Sequence, residues 1–261
     1  MHPGQPTPLK PKQLSCIRYA RGVTVGEVDH GRVGVFETGV VDDGCSFGHV
    51  DGCFEAVFID DLDGGWRIAQ EEALCYRSSL SLSLNPKEYP LGTNDALYSP
   101  YVVIIRSALG DGHQLLHNTV PVKYLPAVSV LTVAAIHQPE TQSFTVQSRA
   151  NNTNTSTTTG GQLPPIKRVF AHNRERNLTK DKMRLVLRMA ATHGHSALVL
   201  GALGCGAFAN PPEDVAHCWL EVLREDEFSG NWWREVCFAV YDPKDEGNYD
   251  IFKVVLEGKE V

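Results

Sequence analysis

The sequence predicts an α/β domain with helices on both faces of a mixed central sheet. Three features carry that expectation. Apolar runs of strand length recur at Tyr101-Val-Val-Ile-Ile-Arg106, at 127–135 and at 196–201, and runs without polar alternation suit strands covered on both faces. Between and after them lie segments with apolar residues at i, i+3, i+4 and i+7, the spacing of one helix face. Two glycine-bearing stretches, Gly64-Gly65 and Gly201 to Gly206, each follow a strand and precede a helix. Strands alternating with helices build a layered α/β sheet, and ligands of such sheets sit beyond the carboxyl ends of the strands. Both glycine stretches are therefore expected at one edge.

The elements are justified in chain order. Residues 1–15 are rich in proline and poor in apolar side chains, as expected of a flexible tail. Residues 16–261 are expected to form one domain. Val23, Val25, Val33 and Val35 flank Asp29-His30-Gly31, which suits a hairpin turn. Ala56-Val-Phe-Ile59 suits a short buried strand. Gln70, Glu71 and Glu72 open a run of helix formers, with acids in the first turn where they complement the helix dipole; that role requires no ligand. Residues 81–97 carry Pro, Asn and Gly and suit a loop. Residues 138–165 turn to Gln, Ser, Thr, Asn and Gly, too polar to offset ordering entropy, so a disordered surface insertion is expected there. Over 181–195, Met183, Val186, Leu187 and Ala190 form an apolar helical stripe that Gly194 is placed to end. Asn210 and Pro211 suit N-cap and N1 of a further helix, with the stripe Val215, Cys218, Trp219 and Val222. Residues 232–241 suit a strand and 248–256 a closing helix.

Composition excludes several classes. The 261 residues are 42% hydrophobic, enough for a sizeable core. A net charge of −7 leaves no basic footprint for DNA, although backbone N–H groups can hold a nucleotide phosphate without net positive charge. The seven cysteines form no C-x-x-C pair, and no apolar leader precedes them; reduced thiols in an intracellular protein of cytoplasm or nucleus are expected. No apolar run reaches membrane-spanning length. His113/His117 and His193/His195 have spacings that could bind metal. No acid or cysteine partner lies nearby in sequence, so neither metal nor cofactor is expected.

The string Gly64-Gly-Trp, Gln70-Glu-Glu, Leu74-Cys-Tyr-Arg-Ser-Ser-Leu80 resembles the signature of the microbial-type poly(ADP-ribose) glycohydrolases, a branch of the macrodomain superfamily. Tyr89-Pro90, Leu97-Tyr-Ser-Pro-Tyr-Val-Val103 and the loop from Leu198 to Pro212 resemble further motifs of that family, in the same order. The resemblance runs from about residue 54 to 256 with a gap around 137–165. It implies a three-layer α/β/α macrodomain-like fold. It also implies hydrolysis of the ribose glycosidic bond of poly(ADP-ribose), or of a related ADP-ribosyl substrate, by acid catalysis. The ligand would be ADP-ribose or poly(ADP-ribose), free or on modified proteins, and the chain a monomer.

By the same resemblance Glu72 is the acid at the glycosidic bond and Glu71 orients the substrate, with Gln70, Gly64 and Gly65 in the first ligand loop. Gly204, Cys205, Gly206, Ala207 and Phe208 match the loop that cradles the diphosphate, and Phe208 the aromatic beside the distal ribose. A glycine-rich turn does let successive N–H groups point into one concavity, but an ordinary strand-to-helix turn would be composed alike. Adjacent glutamates diverge and cannot flank one bond, so one acid per role is expected. Cys75 and Cys205 have nothing beside them that marks a nucleophile. The chain departs from the family at its first loop: Asp63 replaces a glycine, only Trp66 to Ala69 separate glycines from Gln70, and Asp60, Asp61 and Asp63 make the loop acidic. Two readings stay open, the glycohydrolase and an ADP-ribose-binding macrodomain without turnover.

Overall fold

The computed structural model describes residues 16–20, 52–57, 70–107, 112–145, 166–230, 232–242 and 245–261. In chain order the elements are β1 (Cys16–Ala20), β2 (Gly52–Val57), α1 (Gln70–Arg77), β3 (Ala96–Val103), β4 (Ala127–Val133), β5 (Thr141–Thr145), β6 (Ile166–Phe170), α2 (Asn173–Thr192), β7 (Ala197–Gly201), α3 (Pro212–Leu223), β8 (Glu235–Tyr241) and α4 (Asn248–Leu256). Six strands form one sheet in the order β1-β8-β7-β2-β4-β3. Neighbours pair in parallel from β1 to β4, and β3 closes the far edge antiparallel to β4.

The sheet is covered on both faces because β7 is apolar along its length and β4 is apolar on both faces apart from buried Ser129 and Thr132. Successive side chains alternate between faces: Leu198 and Leu200 join one core cluster while Val199 joins the other. Strand β4 divides likewise, Leu131 and Val133 against Val128 and Val130. The first cluster receives the expected stripes of α2 and α3, with Met183, Val186, Leu187, Ala190, Val215, Cys218, Trp219 and Val222 all fully buried, and Phe252 and Leu256 of α4. The second is closed by Leu80, Ile104 and Leu116, with Leu74 and Cys75 of α1 packed against it. The fold is thus a three-layer α/β/α macrodomain-like one around a mixed sheet. No helix among the described residues is long and apolar enough to cross a membrane.

Several expectations are corrected. Helix α2 begins at Asn173, not Asp181, because its polar first turns are held by ions: Arg176 Nε lies 3.0 Å from Asp214 Oδ1 and Arg176 Nη2 2.6 Å from Glu221 Oε1. Arg184 and Arg188 continue the ladder to Glu225 and Glu227, each at 2.6 Å. Of the run expected as a strand over 101–106, Tyr101–Val103 is the end of β3, which starts at Ala96 and lies at the sheet edge, and residues 104 and 106 make only isolated bridges. Tyr101 has φ 55 at a register break between Ser99 and Val102, and its side chain is exposed rather than covered. The first residues of the expected insertion are ordered: Thr141–Thr145 pairs antiparallel with Ile166–Phe170 as a separate two-stranded sheet. Residues 146–165 lie outside the described residues, as do the 1–15 tail and the 23–35 hairpin. Strand β8 is shorter than expected and starts at Glu235. The loop over 81–97 gives up its last residues to β3, and Lys182 pins it by donating from Nζ to Thr93 O at 2.7 Å.

Candidate active site

Parallel pairing of β2, β4, β7 and β8 sends their carboxyl ends to one edge. The connections leaving β7 toward α3 and β2 toward α1 therefore start at that edge, β7 ending at Gly201 and β2 at Val57. Gly64 and Gly65 lie outside the described residues.

The loop after β7 has two layers. Gly204, Cys205 and Phe208 are buried beneath it, while Gly206 and Ala207 are exposed. Gly204 has φ 71, and an added Cβ would collide with the Asn210 amide and lie 2.8 Å from Ala135 Cβ; only glycine fits there. Gly206 differs, since a Cβ there would meet nothing within 4 Å. Its missing side chain serves no packing need of the protein and leaves the backbone open to a ligand. Tight turns fold the loop back, Asn210 N donating to Gly204 O and Ala209 N to Gly206 O, each at 2.9 Å. The N–H groups of Gly206, Ala207 and Phe208 donate to no acceptor among the described residues. Successive donors of this kind form an anion-binding concavity.

Asn210 is not the N-cap expected of it. Helix α3 starts at Pro212 with Pro211 as N-cap, and the Asn210 side chain is buried. Its Nδ2 donates to Ile136 O at 2.7 Å, Gly204 O at 3.1 Å and Phe208 O at 3.4 Å, fastening the loop to the end of β4. Trp219 adds a second tie, its indole N–H donating to Gly201 O at 3.2 Å. Phe208 is 8% exposed and belongs to the main core; the ring of His137 meets it edge-on at 5.0 Å and 88°.

Helix α1 carries the candidate acids. Glu71 Oε1 accepts from the Tyr89 hydroxyl at 2.8 Å, a partner not assigned from the sequence, although Tyr89-Pro90 stood among the motifs. Gln70 and Glu72 lie on α1, and their side chains fall outside the described residues. The following Arg-Ser-Ser-Leu is structural. Arg77 is buried and donates from Nε to Ser107 O at 3.1 Å. Ser78 Oγ donates to Leu74 O at 2.6 Å, and Ser79 Oγ accepts from Val103 N at 2.9 Å. Cys75 packs against the second core cluster, and Cys205 is buried with Sγ 3.7 Å from Leu203 O. His195 Nε2 lies 2.9 Å from the Tyr98 hydroxyl and His193 stacks on the Tyr98 ring at 3.7 Å, so both are engaged by an aromatic rather than by each other.

A mixed three-layer sheet with an open glycine loop and an acid-bearing helix start defines a macrodomain-type α/β protein. No family model matches the chain, and no curated protein does. Solved structures do. Poly(ADP-ribose) glycohydrolase from Deinococcus radiodurans in complex with ADP-ribose superposes with TM-score 0.57 at 26% identity, covering 78% of this chain and 74% of that one. The enzyme from Thermomonospora curvata reaches TM-score 0.60 at 20% identity over 95% of this chain and 79% of that one. Over most of its length the chain is thus similar to bacterial poly(ADP-ribose) glycohydrolases.

Proposed function

We propose that this protein is an ADP-ribosyl glycohydrolase acting on poly(ADP-ribose) or a related ADP-ribosyl substrate. The observation that carries the reading is the loop after β7, where the N–H groups of 206–208 have no acceptor among the described residues and Gly206 leaves room for a ligand. A diphosphate supplies the acceptors such a loop lacks. The similar protein from Deinococcus radiodurans holds ADP-ribose, whose diphosphate matches that requirement.

With the diphosphate on this loop, the ribose bond is cleaved beside α1. Glu72 delivers a proton to the departing glycosidic oxygen as the C1–O bond breaks. The oxocarbenium-like carbon takes up water, and the carboxylate of Glu72 receives the water's proton, restoring the acid. Glu71, steadied by the Tyr89 hydroxyl, orients the ribose. Gly64, Gly65 and Gln70 complete the ligand loop, and Phe208 supports the distal ribose. The products are free ADP-ribose and the shortened acceptor.

Incubation of the purified protein with labelled poly(ADP-ribose) tests this, release of free ADP-ribose being the expected result. One observation favours a second reading. Four residues separate Gly65 from Gln70, and Asp60, Asp61 and Asp63 precede them, a short acidic loop that suits binding without turnover. ADP-ribose titrating to saturation with no release from polymer would establish the binder instead.

A further inference from the structure

Beyond the loop and the two acids, α1 presents an aromatic that nothing in the reaction uses. Tyr76 is 49% exposed. The guanidinium of Arg106 lies over its ring at 5.0 Å, and the His113 ring leans on it at 4.7 Å and 39°. Arg106 Nη1 donates to His113 O at 3.3 Å, which ties the three groups together. The backbone builds this arrangement firmly: Arg106 N donates to Arg77 O at 3.0 Å, and Ser107 and Gln114 close the turn behind it with two 2.9 Å bonds.

The charge here is unlike that of the α2–α3 ladder. Arg176, Arg184 and Arg188 each reach a carboxylate at 3.0 Å or less. Arg106, among the described residues, reaches only a carbonyl and an aromatic face. The His113 imidazole is drawn below its ordinary range by burial and by the guanidinium groups of Arg77 and Arg106. In a chain of net charge −7, Arg106 thus sets a guanidinium, with a neutral imidazole behind it, beside a half-exposed ring. A guanidinium without a carboxylate suits phosphate, and a half-exposed aromatic side chain suits a base.

Position 76 also falls one helical turn after position 72, on the same face of α1. In poly(ADP-ribose) the oxygen that leaves the cleaved ribose belongs to the adenosine of the neighbouring unit. Resting on the glycohydrolase reading, we propose that Tyr76, Arg106 and His113 form an accessory subsite for that adenine nucleotide. Tyr76 stacks the base, Arg106 takes the phosphate, and His113 holds Tyr76 and Arg106 in place. A ligand that carries the neighbouring unit gains contacts here that a lone ADP-ribosyl group cannot make.

The test compares two ligands on one protein. ADP-ribose and a short oligo(ADP-ribose) are titrated calorimetrically into the full chain carrying Glu72→Gln, alone and with Tyr76→Ala, Tyr76→Phe or Arg106→Gln added. The expected result is an oligomer affinity about tenfold above that of the monomer, lost in Tyr76→Ala and Arg106→Gln and kept in Tyr76→Phe. Monomer affinity stays within about twofold throughout. Equal affinity of the parent for monomer and oligomer overturns the subsite and leaves the glycohydrolase reading standing. A parallel fall for both ligands overturns it as well, since a subsite for the neighbouring unit cannot touch the monomer. Failure of the protein with Glu72 intact to cleave polymer, with the oligomer preference present, overturns the hydrolase reading and not the subsite.

Discussion

The loop after β7 and the start of α1 reach the same edge by different means. The loop is held from beneath: Asn210 gathers three carbonyls, Trp219 holds Gly201, and Gly204 fits where no Cβ can. Helix α1 is eight residues long and is anchored at its far end, where Arg77, Ser78 and Ser79 bind Ser107, Leu74 and Val103. A short helix has little stability of its own, so its position depends on those bonds and on Leu74 and Leu80 beneath. The difference teaches that the glycine loop is built into the main core, whereas the acid-bearing helix hangs from the second, smaller one. Binding and turnover should be separable by mutation.

The largest effect tests the anchoring of the loop. Trp219→Ala removes a fully buried indole and the donor to Gly201, and should cost about 3–5 kcal/mol in urea unfolding, with ADP-ribose binding lost alongside. A cost under about 1 kcal/mol would mean that the loop does not lean on α3. Next comes the acid. Glu72→Gln should lower turnover by about 100-fold or more, about 2.7 kcal/mol in the barrier, while ADP-ribose still binds; undiminished hydrolysis would remove Glu72 from the chemistry.

A smaller and sharper contrast lies within the loop itself. Gly204→Ala should destabilise by roughly 1–3 kcal/mol, because it forces Asn210 and Ala135 apart at a left-handed φ. Gly206→Val should leave the melting temperature nearly unchanged and block the diphosphate, lowering ADP-ribose affinity at least about tenfold. Equal stability of the two variants would dissolve the distinction between packed and open glycine.

The smallest effect is acid weakening of the α2–α3 ladder. Hydrogen bonds from Arg176 and Arg188 hold the Glu221 and Glu227 carboxyls below their ordinary value of 4.5. A depressed folded-state pKa gives stability that is present above the unfolded value and lost as pH falls through the folded one. The melting temperature difference between parent and Arg176→Gln should therefore be steady near neutrality and shrink below about pH 4.5. A difference constant down to pH 3 would show that the ion pair is not its source.

How much of this was legible follows from what holds each part. Helix α4 occupies 248–256 as its pattern indicates, and the stripes of α2 and α3 are buried residue for residue, because apolar burial writes itself at fixed spacing. The first turns of α2 carry Arg176 and Lys180 instead, whose partners Asp214 and Glu221 sit about forty positions on. Strand β5 is polar apart from an exposed Phe144 and is defined by pairing with β6. Asn210 next to Pro211 has the local chemistry of a cap; its partner Ile136 O is 74 residues away, and no local pattern encodes that bond. The sequence pattern did place a turn after β7 and a helix at Gln70-Glu71-Glu72. The division of the loop into packed Gly204 and open Gly206 required the positions of Ala135 and Asn210.

The broken register of β3 has a consequence outside the site. An outer strand exposes a row of backbone donors and acceptors on which another chain can extend the sheet. Here Pro100 contributes no N–H, and Tyr101, at φ 55, interrupts the pleat midway along the edge. An incoming strand would find neither a continuous donor row nor a flat surface. The feature that spoils the regularity of β3 also guards the protein against strand-to-strand aggregation.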